Sequence, residues 1–345
     1  MKQYAILKKS HLEALVSALA SEQKVMAPVS RGFKNYAFES VSSAKEISLV
    51  YIPTILPPKK YFMPQYEKLL EYSTRGGQNM QAVMEYEKMI LFGVHTCDLA
   101  GIQCLNMALS EPPKDINYLA RKNRILIFGL ECNTYCDEYA SCALMGNELP
   151  NGGYDAFFTD MGDYFIIHLN TQLGDEILEK TRLLEECDEK HWKELEKLRA
   201  KKRKVFKNEV AIEHQEISNL FDKVFDSPVW KDLDSRCLAC GNCTNVCPSC
   251  YCFDVIDDPN LDLVTGERHR RWDSCQHETF ATVAGNENFR KKRGNRARHR
   301  YYRKFKYPVE KFSRYFCTGC GRCSRTCMAK INLKETLTSL SKESK

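Results

Sequence analysis

Two runs of cysteine carry the spacing of ligands to a multi-iron core. They are Cys237-x2-Cys240-x2-Cys243-x3-Cys247-Pro248 and Cys317-x2-Cys320-x2-Cys323-x3-Cys327. Three cysteines two residues apart on a tight loop can point their sulfurs at three irons of one cubane. The fourth, three residues on, has entered the next helix and ligates the other cluster of a pair. The spacing therefore predicts two 4Fe-4S clusters. Cluster 1 takes Cys237, Cys240, Cys243 and Cys327; cluster 2 takes Cys317, Cys320, Cys323 and Cys247. Gly241 and Gly321 follow the second cysteine of each run, where the loop turns closely around the core. Pro248 ends the first run, and Met328 stands in its place in the second. Four-thiolate zinc sites use paired C-x2-C knuckles separated by longer loops, so zinc is the poorer reading. Two clusters in one short domain leave no room between them for a substrate pocket. Such a domain conducts electrons.

Nine of the seventeen cysteines lie outside the two runs. Cys250 and Cys252 follow at once in CPSCYCFDV, and Cys275 ends RRWDSC. They read either as small buried hydrophobes beside a cluster or as three ligands of a further metal. Cys97 follows a strand-like run, ILFGV, and Cys132 follows another, RILIFGL, with Cys136 and Cys142 close behind. Loops at the carboxyl ends of neighbouring parallel strands converge, which is where open α/β sheets build sites. These four thiolates either hold a third iron–sulfur cluster or are reduced structural thiols. Cys104 and Cys187 lie in helix-like contexts and read as packing or surface thiols.

The elements that must position these residues divide the chain. Short apolar runs predict strands at Ile47–Ile52, Met89–Val94, Arg124–Leu130 and Tyr164–Leu169, with helix-compatible segments at Met63–Tyr72 and Asp98–Leu109. The alternation predicts an α/β N-terminal domain over residues 1–180 with at least some parallel pairing. A charged helical connector follows over 181–215, rich in Glu, Lys, Arg and Leu. Residues 216–345 are expected to form a mainly α-helical domain around the two clusters.

Composition narrows the class. With 43% hydrophobic and 28% charged residues in 345, the chain is globular. No apolar run approaches the ~18–20 residues of a membrane span, so no membrane insertion is expected. The N-terminal MKQYAILKKSHLEAL has no continuous apolar stretch of a secretory signal. The thiols are therefore expected in a reducing, cytoplasmic compartment, as metal ligands rather than disulfides. The formal net charge of +6 is uneven. Arg290–Lys306 carries ten Lys+Arg and no acid; without it the chain holds 41 Lys+Arg against 45 Asp+Glu, a formal −4. Interleaved aromatics in that stretch raise a nucleic-acid reading. Its position between the cluster runs favours another role: cations that shield the negative clusters and tune their potentials.

The segments CLACGNCTNVCPSCYCFDV, RRWDSC, AGNENFR, RARHRYYRKFKY and CTGCGRCSRTC resemble the iron–sulfur electron-transfer subunits of anaerobic sulfite reductases and the beta subunits of cytoplasmic nickel–iron sulfhydrogenases. The resemblance continues upstream through GVHTCDLAGI, DINYLARKNR, ECNTYC…SCALMG and GGYDAFFTDMGD, so that it spans about residues 90–330. It departs at Ser141-Cys142-Ala143, where the family often has Cys-Phe-Cys, and Cys136 is a substitute ligand there. The resemblance implies a two-cluster, ferredoxin-type domain. It also implies a component of an oxidoreductase complex, set between a flavin- and NAD(P)-binding reductase partner and a catalytic redox partner. The chain has neither a G-x-G-x-x-G fingerprint nor a P-loop. Two alternatives accompany the relay: a redox enzyme with its own site at the α/β-domain cysteines, and a nucleic-acid-binding iron–sulfur protein.

Overall fold

The computed structural model describes residues 3–77 and 79–344. Twelve strands carry the argument. They are β1 (Tyr4–Lys8), β2 (Lys24–Ser30), β3 (Tyr36–Val41), β4 (Tyr66–Ser73), β5 (Asn79–Ala82) and β6 (Met89–His95), followed by β7 (Ile125–Leu130), β8 (Ala156–Asp160), β9 (Tyr164–Leu169), β10 (Glu185–Glu186), β11 (Phe253–Pro259) and β12 (Thr265–Trp272). Eight of them form one sheet in the order β10-β1-β9-β8-β7-β6-β2-β3. The central pairs β2/β6, β6/β7 and β7/β8 are parallel, and both margins are antiparallel.

The central strands are apolar on both faces, as strands covered from both sides must be. Ile90, Phe92, Phe128 and Phe158 face the helices Leu12–Glu22 and Gln172–Lys180. Leu91, Ile125, Ile127 and Phe157 face the helix Thr96–Leu109 through Leu99, Ile102 and Leu105. The alternation slips once, at a bulge between Phe92 and Val94, where Gly93 takes φ +78°. A bulge re-aims the strand end that follows it. Here that end carries His95, Thr96 and Cys97. Tyr51 fixes it, donating its hydroxyl to the Gly93 carbonyl (2.7 Å) and stacking on the His95 ring.

The strands at Met89, Ile125 and Tyr164 and the helix from Thr96 lie where the periodicity places them. Two expectations are corrected. Ile47–Ile52 is irregular chain, because Ile47 and Leu49 are apolar to pack on the sheet core and not to pair. Most of Met63–Tyr72 is strand β4 and not helix: it pairs antiparallel with β12, almost two hundred residues later. The four-stranded sheet β11-β12-β4-β5 thus takes two strands from each half of the chain. The expected mainly helical cluster half accordingly combines helices with a β-hairpin. Its apolar core joins Phe221, Trp230, Tyr301, Phe305 and Leu337 with Leu144 and Met145 from the N-terminal half. Among the described residues no helix is long and apolar enough to cross a membrane.

Buried charge secures the shared sheet. Glu67 of β4 lies between Arg270 of β12 and Arg121, and Arg270 also grips Asp115. Glu67, Arg270 and Arg121 are almost wholly enclosed. Removing one member of a buried ionic group leaves the others uncompensated in low dielectric. Glu67→Gln is therefore expected to lower unfolding stability by about 3 kcal/mol. Anaerobic denaturation followed by circular dichroism measures it, and an unchanged midpoint would contradict the role given to Glu67.

Candidate metal centres

The two cysteine loops are built alike. Gly241 and Gly321 cap the short helices Asn242–Asn245 and Arg322–Arg325 in the left-handed region, at φ +75° and +73°. Each cap turns the chain from the loop bearing the first three cysteines into the helix that leads to the fourth. A Cβ at Gly321 would lie 2.7 Å from the Tyr139 carbonyl carbon, so this position has neither the dihedral nor the space for a side chain.

The eight motif cysteines sort into two cavities. One is bordered by Cys237, Cys240, Cys243 and Cys327; the other by Cys317, Cys320, Cys323 and Cys247. At each, the first three cysteines of one run meet the fourth of the other. Cys323 stands on the wall between them and borders both. The Ala239 amide donates to Cys237 Sγ and the Ile331 amide to Cys327 Sγ, each at 3.4 Å. Such N–H···S bonds stabilise a reduced, more negative cluster. Among the described residues, no three His, Cys, Asp or Glu side chains converge tightly enough for a single metal ion. A tetrahedral zinc site would bring its sulfurs within about 3.8 Å of one another, given Zn–S bonds of about 2.3 Å. The donor sets suit a larger polynuclear core.

The sheet places the second cysteine group. His95 and Leu130 are register partners on the parallel strands β6 and β7. Cys97 and Cys132 each lie two residues beyond, at the same carboxyl edge. The loop after β7 then folds Cys136 and Cys142 back towards Cys132. The Cys97 thiol lies within electrostatic reach of Cys136, and Cys142 within reach of Cys132 and Cys136. Both Cys97 and Cys142 also sense Cys320 of the second run. Burial pushes the Cys132 and Cys142 thiols up to about 12, so either becomes a thiolate at neutral pH only when a bound metal displaces its proton to solvent. Cys104 is fully buried in the core and Cys187 half-buried, both apart from this group.

Charged side chains that the cysteine spacing does not announce join these sites. Arg322, between Cys320 and Cys323, is wholly buried and reaches across to Asp98, the neighbour of Cys97. Its two terminal nitrogens donate to the two carboxylate oxygens at 2.7 and 2.8 Å, and its Nε donates to the Thr54 carbonyl. Beside Cys132, the enclosed Glu131 carboxylate accepts from Lys202 (3.0 Å), Arg199 (3.2 Å) and Thr159 (2.8 Å). The Lys59 ammonium donates to the Cys250 carbonyl at 2.8 Å and lies over the Trp272 ring. Asp98 and Arg322 sit inside the cysteine motifs, so their adjacency to ligands was visible in sequence; their meeting was not.

The basic stretch forms the helix Arg293–Phe305. Arg296, Arg300 and Lys304, four residues apart, point inward and are buried. Arg300 borders both cysteine cavities and donates to the Cys243 carbonyl at 3.2 Å. Lys304 donates to Ser249 Oγ at 2.8 Å. Both also border a third cavity, which holds Cys250, Cys252 and Cys275.

Breaking the Asp98–Arg322 pair from one side is expected to cost about 3–5 kcal/mol, since Arg322→Met leaves a bare carboxylate in the interior. Asp98→Leu combined with Arg322→Met should recover most of that loss. Denaturation of the three proteins under argon measures the difference; equal loss in the single and double variants would refute the pairing.

The comparisons with known proteins agree with this geometry. A family model described as a 4Fe-4S dicluster domain matches residues 236–331. The chain is similar to sulfhydrogenase 2 subunit beta of Pyrococcus furiosus. The two are 34% identical over 330 residues, covering 95% of this chain and 96% of that one. No solved structure matches the chain.

Proposed function

The chain belongs to the sulfhydrogenase beta-subunit family, whose members are iron–sulfur electron-transfer proteins, and from that premise we propose that it is the internal relay of a cytoplasmic oxidoreductase complex. On this reading it stands between a catalytic redox partner and a flavin- and NAD(P)-binding reductase partner. One observation carries the reading: at each of two adjoining cavities the first three cysteines of one run meet the fourth cysteine of the other. That is the reciprocal pattern of a two-cluster wire.

Cys237, Cys240, Cys243 and Cys327 would hold the first 4Fe-4S cluster, and Cys317, Cys320, Cys323 and Cys247 the second. Cys97, Cys132, Cys136 and Cys142 would hold a third at the sheet edge, beside Cys320. When bound, such clusters supply reversible one-electron chemistry. The chain's own residues exclude water and set the charge around them. Arg300 and Lys304 place two buried cations against the sulfurs, and Arg322 stands between the second motif and Cys97. Of the motif cysteines, Cys247 and Cys320 are buried and five are half-buried, but Cys240 is exposed, beside Leu238 (60% exposed) and Met328 (82% exposed). This apolar edge of the first site is the natural point of contact with a partner.

The inward cations of the basic helix support electrostatic compensation of the clusters over nucleic-acid binding. The relay reading is tested on the full chain loaded with iron and sulfide under argon. Cys97→Ser is expected to lower iron by about four per chain while the coupled EPR signal of the dicluster persists. Loss of that signal instead would refute the grouping. In turn, the isolated chain is expected to take electrons from a low-potential donor but to show no hydrogen or NAD(P)H turnover of its own. Turnover without a flavoprotein partner would overturn the relay.

A further inference from the structure

The third cavity is the roomiest of the three that touch the basic helix, at about 340 Å³. The β11–β12 hairpin assembles its thiols. Phe253 and Trp272 are register partners at the hairpin's open end. Cys252 precedes the first and Cys275 follows the second, so the pairing brings them face to face; the Asp273 amide donates to the Cys252 carbonyl at 3.0 Å and closes the mouth. Cys250 joins them on the same wall, its carbonyl held by Lys59. From the opposite side the basic helix contributes His299 to the same cavity.

The rest of the lining is cationic. Arg290, Arg300, Arg303 and Lys304 all border the cavity. Arg300 is only 6% exposed, yet its Nε has no hydrogen-bond partner among the described residues, and neither does the Nε of Arg290. Unpartnered buried donors beside an open volume call for an acceptor there, and a lining of four cations favours an anionic one. Three neutral thiols do not provide one. Three thiolates around an iron–sulfur core do.

We propose that Cys250, Cys252, Cys275 and His299 hold a further iron–sulfur cluster, with the basic helix as its counter-charge. The imidazole supplies the fourth donor that the cysteine sequence lacks. Among the described residues no three of these groups converge as a single ion requires. Cys250 lies against Cys247, the first run's contribution to the second cluster site, so this centre would adjoin the relay and give it a branch. The inference rests on the relay reading for that purpose but not for its ligands.

The test uses the full chain, reconstituted with ferrous iron and sulfide under argon, as wild type, Cys252→Ser/Cys275→Ser and His299→Cys. Wild type is expected to hold about sixteen irons per chain and the double serine variant about four fewer. Pulsed EPR of the reduced wild type should show strong imidazole nitrogen coupling. His299→Cys should lose that coupling while keeping its iron, a readout that survives even where the serine variant does not fold. Equal iron in wild type and the double serine variant overturns the proposal, as does zinc at the site or the absence of imidazole coupling in wild type. About twelve irons in both proteins sinks this centre alone. Fewer than about eight in wild type sinks the relay reading as well.

Discussion

The structure turns on the ion pair between Arg322 and Asp98. Both side chains are fully enclosed, where a lone charge would be very costly and a well-oriented pair is tolerable. The planar guanidinium meets both carboxylate oxygens and uses its remaining donors on Thr54, so its fork is satisfied. Arg322 starts the short helix inside the second cysteine run; Asp98 lies in the first turn of the helix that follows β6. The pair therefore fixes the second cysteine run against the carboxyl edge of the sheet. That contact brings Cys320 to Cys97 and Cys142, and with it a dicluster site to a sheet-edge site.

Close backbone packing supports the same junction. The Ser141 amide donates to the Gly319 carbonyl at 2.8 Å, and a Cβ at Gly319 would fall 2.5 Å from the Ser141 carbonyl oxygen. One turn along the helix after β6 from Asp98, Gly101 admits Pro248 of the first run, where any Cβ would clash. The sheet domain and the cluster half are thus not two bodies on a tether. They share an ion pair, a four-stranded sheet and an apolar core. For a relay this matters physically: ligand positions set on a rigid frame keep the separation between redox sites constant.

The basic helix supplies the complementary charge. Its composition suggests a surface for polyanions, yet its i, i+4 spacing turns Arg296, Arg300 and Lys304 inward. Arg300 borders three cysteine-lined cavities at once. The formal +6 of the chain is therefore largely internal. Glu131 beside Cys132 shows the converse arrangement: a buried carboxylate neutralised by Lys202 and Arg199 near a thiol group that needs no further negative charge.

The sequence by itself determined the two cysteine runs, their glycine turns and the strands that lead to Cys97 and Cys132. Each of these is a local property. A two- or three-residue spacing constrains sulfur directions directly, and a run such as MILFGVH carries its own periodicity. The charge of Arg290–Lys306 was equally legible, but not that it forms a helix or which face of it is buried. Tertiary structure alone decided the rest. Glu67 reads as a surface residue of a polar helix until β12 pairs with β4 and Arg270 closes on it. Asp98 and Arg322 are 224 residues apart, and no local preference links them. His299 joins Cys250, Cys252 and Cys275 only because the hairpin and the basic helix enclose one cavity. Spacing along the chain fixes what neighbours can do together; which distant groups become neighbours is set by burial and packing of the whole molecule.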